Sequence, residues 1–540
     1  MARRQPASAR PQAKSPHRVA PAPSLTWALA LGLIAATVLL RSPTFNDHIL
    51  FIDEPIYYSF GSRLELPGAH VYTHTADQKP PLGPITYWLA IRISPPHAIA
   101  VVHALTTLAI GLTTLLLLVS SQLLLGSPWA GFGAGILYAL IGSSKPRVGE
   151  AFFAFSSLEH FQAPLLLGFV LLFLLSLQRQ RLWVALAAGS LLGVAALYKP
   201  NVPVLLASAW GIAVFAVRRG RLPLRAAAIA SVAAACSTLA IVAAVPLYYA
   251  AIGHFDAWRF YNIDALMLYR GLGGSVLLQA VLLAGAIPLK IPLAVGMFYG
   301  AIAAPRGSRL HWDGETGLFL ATAWIVLFCS LAPGLHKEHY LIQALPAECL
   351  LIGMAAVAGW RYVAGADTTQ RTVLGAAYAV VFVAPLAYAL YQLAAGWIAL
   401  RTYAAADSYL ALHRKVGTLV PLVRYIQEHT APEDLIYVHS EAPELYFLTL
   451  RRPAVSDPTG SWIAMVATPK VADDLLRELQ ASPPRLIVQL DYRRYGRSSE
   501  TLQKWPQLVS WIGQHYRERT SMPHAQILEW VGAQEEGKQQ

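Results

Sequence analysis

Phe51-Ile52-Asp53-Glu54-Pro55-Ile56-Tyr57-Tyr58, with Gln78-Lys79-Pro80-Pro81-Leu82 close behind, lies between two long apolar runs. The first run is Leu25 to Leu40 and the second begins near residue 98. One connection thus gathers two adjacent carboxylates, two adjacent tyrosines and a lysine on a turn that proline stiffens by fixing φ. The runs around it decide the fold. The 540 residues are 55% hydrophobic and 13% charged, with mean hydropathy +0.45. A soluble domain carries about 25% charged residues, and an apolar stretch of about 20 residues spans a bilayer. The chain reads as a polytopic, mainly α membrane bundle.

Eleven spans are expected by apolar length, at roughly 25–40, 98–125, 128–144, 158–177, 182–198, 201–217, 226–251, 273–304, 316–333, 339–360 and 372–398. The net charge of +12 does not point to nucleic acid, because its positions follow the connections. Arg179 and Arg181, then Arg218, Arg219, Arg221 and Arg225, then Arg306 and Arg309, then Arg361 and Arg371 fall on alternate connections. That alternation places those connections in the cytoplasm, and the connections rich in unusual residues outside. Residues 1–24 form a disordered basic tail on the inner side, and the first span is uncleaved rather than a signal peptide. Segment 273–304 is long, carries Pro288 and Pro292 around Lys290, and reads as a broken or tilted helix. Lys290 itself is balanced between a functional and a structural role. Cys236, Cys329 and Cys349 lie inside apolar runs and read as small buried hydrophobes.

Composition changes near residue 400. The expected organisation is a tail over 1–24, a transmembrane domain over 25–399 with its first outer loop at 41–97, and an extracytoplasmic α/β domain over 400–540. In that domain Leu435–His439 and Arg485–Leu490 read as strands, and 408–429, 469–480 and 499–515 as helices. No glycine-rich phosphate loop opens any of these helices, so no nucleotide is expected.

Asp53 and Glu54 would repel each other if buried together, which would raise one of their pKa values. Transfer of a sugar from a phosphate-linked donor needs a base for the acceptor proton and a cation for the departing phosphate. Asp53-Glu54 and Lys79 meet both needs. Asp53 two residues before Pro55 equally suits a helix N-cap, and Lys79 equally suits a basic residue at a membrane entry point.

Taken in order, an Asp-Glu pair, an aromatic helix and Lys79-Pro80-Pro81-Leu82, all between the first two spans, resemble the C-type (GT-C) membrane glycosyltransferase superfamily. The nearest branch looks like the bacterial protein O-mannosyltransferase and aminoarabinose transferase group. Further matches are Ser156-Ser157-Leu158-Glu159-His160-Phe161, Tyr198-Lys199-Pro200, Tyr261-Asn262 in the amphipathic segment 252–271, and His336-Lys337-Glu338-His339-Tyr340. They cover roughly residues 25–365. The resemblance implies a polyprenyl-phosphate sugar as donor, and a lipid, glycan or protein as acceptor, at a bacterial inner membrane. It implies Asp53 as catalytic base with Glu54 beside it. Lys79, Lys199, Lys337 and His339 would contact the donor phosphate, and Tyr57, Tyr58, Glu159, His160, Tyr261, Asn262 and Tyr340 would line the substrate pocket. Lys337 stands where many relatives place arginine; it keeps the charge without the bidentate fork. A divalent metal held by Asp53, Glu159 and His160 is open on donor chemistry, though no spacing compels it. A transporter or lipid flippase without transferase activity is the alternative.

Overall fold

A computed structural model describes residues 23–144, 154–267, 292–298, 313–330, 338–404, 419–439, 442–458, 469–490, 505–522 and 525–532. Lys290, Lys337 and most of 273–304 lie outside the described residues, as do the basic tail and the first part of the helix expected over 408–429.

Among the described residues, six helices are long and apolar enough to cross a membrane: Ser24–Thr44, Pro95–Leu125, Leu158–Arg179, Leu224–Ala251, Leu345–Gly365 and Thr368–Thr402. Four shorter apolar helices, Pro128–Ile141, Leu182–Ala196, Val202–Arg218 and Glu315–Ser330, lie among them. These ten coincide with ten of the eleven expected spans, and the chain is a multi-pass membrane protein. One expected boundary moves. The span placed from residue 339 starts at Leu345, because Glu338–Gln343 winds as a 3-10 turn and Pro346 occupies the first turn of the following helix. Proline fits there because its missing N–H would have no partner in any case.

The long helices pack through small residues. Helices α1 (Pro23–Arg41), α4 (Ala98–Leu125) and α5 (Pro128–Ile141) pack together, α4 also lies against α6 (Leu158–Arg179), and α7 (Leu182–Ala196), α9 (Leu224–Ala251) and α8 (Leu205–Arg218) follow in one continuous core. Gly126, left-handed at φ +60°, ends α4 and turns the chain into α5. At the α7–α9 crossing a Cβ on Gly189 would overlap the Ala234 carbonyl and the Ser237 hydroxyl, and Thr238 Oγ1 donates to Gly189 O at 2.9 Å. Close approach of this kind drives helix association where lipid supplies no hydrophobic force. Gly189→Val is therefore expected to separate α7 from α9, costing about 1–3 kcal/mol. A lowered Tm in detergent, with Gly211→Val as an unstrained control, measures it. Cys236 and Cys329 are exposed on their helices, contrary to the expectation, and Cys349 is buried. Their helices turn those faces away from the bundle core.

The first loop is a helical hairpin. Helix α2 (Asp53–Arg63) lies against α3 (Leu82–Ile93). A Cβ on Gly61 would sit 2.7 Å from the Trp88 backbone nitrogen, so glycine permits the approach. Tyr57 stacks on Tyr87 with centroids 5.6 Å apart. Further along are α10 (Phe255–Arg259), α11 (Asp313–Ser330), α12 (Leu345–Gly365), α13 (Thr368–Tyr378) and α14 (Ala384–Ala404).

The C-terminal part is a five-stranded sheet with helices. Its strands are β1 (Leu435–His439), β2 (Arg452–Pro453), β3 (Leu486–Leu490), β4 (Tyr516–Met522) and β5 (Ala525–Trp530), in the order β2-β1-β3-β5-β4. The first three are parallel, and β5 and β4 add an antiparallel edge. Helices Leu419–His429, Pro469–Ala481 and Pro506–His515 match the expected ones within the described residues. The sheet unit sits on the first loop. Phe447 meets the edge of Tyr58 at 5.1 Å, Arg63 Nη1 donates to Pro453 O at 2.9 Å, and Ala76 N donates to Ser456 O at 2.9 Å.

Candidate active site

Helix α2 begins at Asp53, with Ile52 in the cap position and no side-chain cap bond, so Asp53 is not the N-cap that Pro55 suggested. Consecutive residues on a helix point about 100° apart, so the two carboxylates diverge. Glu54 turns inward and is fully buried. Its Oε2 accepts from Leu50 N at 2.7 Å; its Oε1 accepts from Ser156 N at 2.8 Å and faces His103 Nε2 at 2.8 Å. The other ring nitrogen of His103 lies 2.7 Å from the Thr44 carbonyl. Glu54 thus ties α2, α4 and the strip before α6 together. The two carboxylates face different partners, Glu54 toward His103 and Asp53 toward His339.

Asp53 keeps 24% of its side chain exposed, and its Oδ2 lies 3.7 Å from His339 Nε2. His339 is buried and boxed by the rings of Phe51, Phe155 and Tyr340 at 5.5, 5.2 and 4.6 Å. Burial lowers its pKa to about 4 against the pull of Glu159 and Asp53. The imidazole is neutral at pH 7. Expected as a phosphate contact, it brings no positive charge.

Two lysines supply that charge. Lys199, on the turn between α7 and α8, is buried, pairs with Glu159 at the start of α6, and sits 3.2 Å from the centroid of the Tyr340 ring. Burial lowers its pKa to about 8, with Glu159 opposing the shift. Lys79 stands 4.9 Å from the Tyr57 ring centroid, and its backbone N–H donates to Asp77 Oδ1 at 3.1 Å. Burial opposes its charge, but Tyr57, Asp53 and Asp77 outweigh burial and hold its pKa above the ordinary lysine value. Asp77, unnoticed in the sequence, is buried beside it; burial raises its pKa to about 6 while Lys79 pulls it down. The charges of Asp53, Asp77, Lys79, Glu159 and Lys199 act on one another and neutral His339 lies against Asp53, so these six form one cluster at one end of the bundle.

The remaining expected residues fall around it. Asn262 Oδ1 accepts from Tyr72 OH at 3.3 Å, and the same hydroxyl reaches the Lys79 carbonyl at 3.1 Å. Tyr261 stacks near Tyr72 at 6.3 Å. Tyr57 and Tyr340 lie within the cluster. Tyr58 faces Phe447, and His160 is wholly buried with its ring against Gly142. Asp53, Glu159 and His160 do not converge as metal ligands. Glu159 is held by Lys199, and among the described residues no three His, Cys, Asp or Glu side chains gather into a metal site. Two lysines among the carboxylates make the position unfavourable for a cation.

Beside the cluster opens an apolar cavity of about 520 Å³. Its walls include Pro81 and Leu197, each two residues from a cluster lysine, with Trp88, Val245, Tyr249 and His70. The site therefore pairs fixed charge with an apolar groove that runs along helices of the bundle.

The chain has the fold of C-type membrane glycosyltransferases. It superposes on ArnT from Cupriavidus metallidurans bound to undecaprenyl phosphate with a TM-score of 0.55 and 17% identity, over 94% of this chain and 97% of that one. The oligosaccharyltransferase of Archaeoglobus fulgidus in the apo form gives 0.54 and 13% identity, over 95% and 75%. No protein-family model matches the sequence, and no curated protein matches it.

Proposed function

We propose that the chain is an integral-membrane glycosyltransferase that moves a sugar from a polyprenyl-phosphate donor to an acceptor hydroxyl. The observation that carries this reading is the charge cluster itself. An accessible carboxylate, Asp53, shares a site with a buried lysine, Lys199, and a half-buried one, Lys79, beside an apolar groove that suits a lipid tail. The fold shared with ArnT, which was solved with undecaprenyl phosphate, supports the donor class.

Asp53 takes the proton of the acceptor hydroxyl as its oxygen attacks the anomeric carbon. The bond from that carbon to the phosphate oxygen breaks, and its electron pair leaves with the phosphate, which Lys79 and Lys199 hold. One displacement of this kind inverts the anomeric centre. Neutral His339 faces Asp53 and orients it. Glu54 positions α2 and takes no proton. Alternation of Arg among the connections supports a cytoplasmic N-terminus, with site and sheet unit on the outer face of a bacterial inner membrane. A transporter would place its substrate groups near the midplane, whereas these groups sit at one end of the helices.

Lys199→Met alone would strand buried Glu159, so the informative variant pairs it with Glu159→Gln. That double variant is expected to stay folded and to raise the donor KM by about tenfold or more, the loss of one charge-assisted phosphate contact. Initial rates against donor concentration in vesicles test it, and an unchanged KM would remove Lys199 from the donor site.

A further inference from the structure

A second groove lies at the opposite end of the bundle, between α8 and α11. It holds about 430 Å³ and is lined by Ser208, Gly211, Phe215, Leu318 and Thr322, with Arg218 at its end. Ser208 to Arg218 is ten residues of helix, about 15 Å, which is half of a hydrocarbon core about 30 Å thick. The groove therefore runs from one membrane surface to about mid-depth, the reach of one leaflet. Lys199 precedes α8 and Arg218 ends it, so the helix length separates this groove from the charge cluster.

The charge at its mouth is unbalanced. Arg219 and Arg221 converge on buried Glu315 at 3.7 and 2.7 Å. Arg218 has no ion pair among the described residues and is exposed, with Arg225 exposed nearby in the sequence. A cation at the membrane surface, above an apolar furrow one leaflet deep, is complementary to one class of molecule. We propose that this groove binds an anionic phospholipid of the leaflet at the Arg-rich end, its phosphate at Arg218 and one acyl chain lying along α8.

Two variants separate head from tail. Arg218→Gln removes the charge. Gly211→Leu fills the furrow without strain, because a Cβ there meets nothing within 4 Å. Native mass spectrometry of the full chain, with phosphatidylglycerol or phosphatidylcholine added, reads occupancy directly. Wild type is expected to retain one phosphatidylglycerol in preference to phosphatidylcholine. Arg218→Gln is expected to weaken retention about fivefold, the effect of one basic residue at an anionic surface. Gly211→Leu should abolish it. Equal retention of both lipids, or no response to either variant, overturns the site. Full competition by inorganic phosphate also overturns it, since the anion alone would then account for binding. None of these readouts depends on transferase activity.

Discussion

Asp53→Asn is expected to abolish sugar transfer while the protein purifies and melts as wild type does. Asparagine keeps the size and shape of the side chain and removes only the basic oxygen. Asp53 is partly exposed, and the His339 imidazole 3.7 Å away is neutral, so the change leaves no buried charge stranded. A positioned general base contributes about 10²–10⁴ in rate, and the loss should fall in kcat with little change in donor KM. Single-turnover rates with lipid-linked sugar, alongside thermal melting of both proteins, give the comparison. A variant that turns over at more than about a tenth of the wild-type rate would show that another group takes the proton.

Glu54→Ala is expected to do the opposite and cost the fold. The carboxylate is fully buried and serves Leu50 N, Ser156 N and His103 at once. Its loss strands two backbone donors and a ring nitrogen inside the bundle, and breaking one partner of a buried pair costs about 3–5 kcal/mol. Size-exclusion profiles of detergent-solubilised protein should show loss of the monodisperse peak. Glu54→Gln, which retains one acceptor oxygen, should recover part of it. A well-folded, inactive Glu54→Ala protein would return this residue to the chemistry.

The contrast between these neighbours shows where sequence reading stops. The spans were legible because a bilayer demands apolar length, and ten of the eleven segments recur as helices. Gathering Asp53, Lys79, Glu159, Lys199 and His339 at one end was legible through alternating charge. The division of labour within Asp53-Glu54 was not, because it depends on a helix starting at Asp53 and turning the next side chain inward. His103 looked like part of an apolar run; an ionisable residue inside a span was the signal that could have singled it out. Asp77 was hidden because burial beside Lys79 leaves no mark in composition. Strands β4 and β5 escaped because Arg517, Glu518 and Arg519 charge the edge strand, which protects a sheet edge but erases the strand pattern. The protonation of His339 was hidden too, since burial among Phe51, Phe155 and Tyr340 lowers its pKa.

The central claim is that the Asp53 site breaks the bond between a sugar and a polyprenyl phosphate. The most direct measurement is release of free polyprenyl phosphate from a panel of polyprenyl-phosphate hexoses and pentoses in vesicles containing the purified full chain and a membrane extract as acceptor source. Wild type should release it from at least one donor with the sugar recovered on an acceptor, and Asp53→Asn should release none. No release from any donor that binds, or equal release by wild type and Asp53→Asn, would contradict the account.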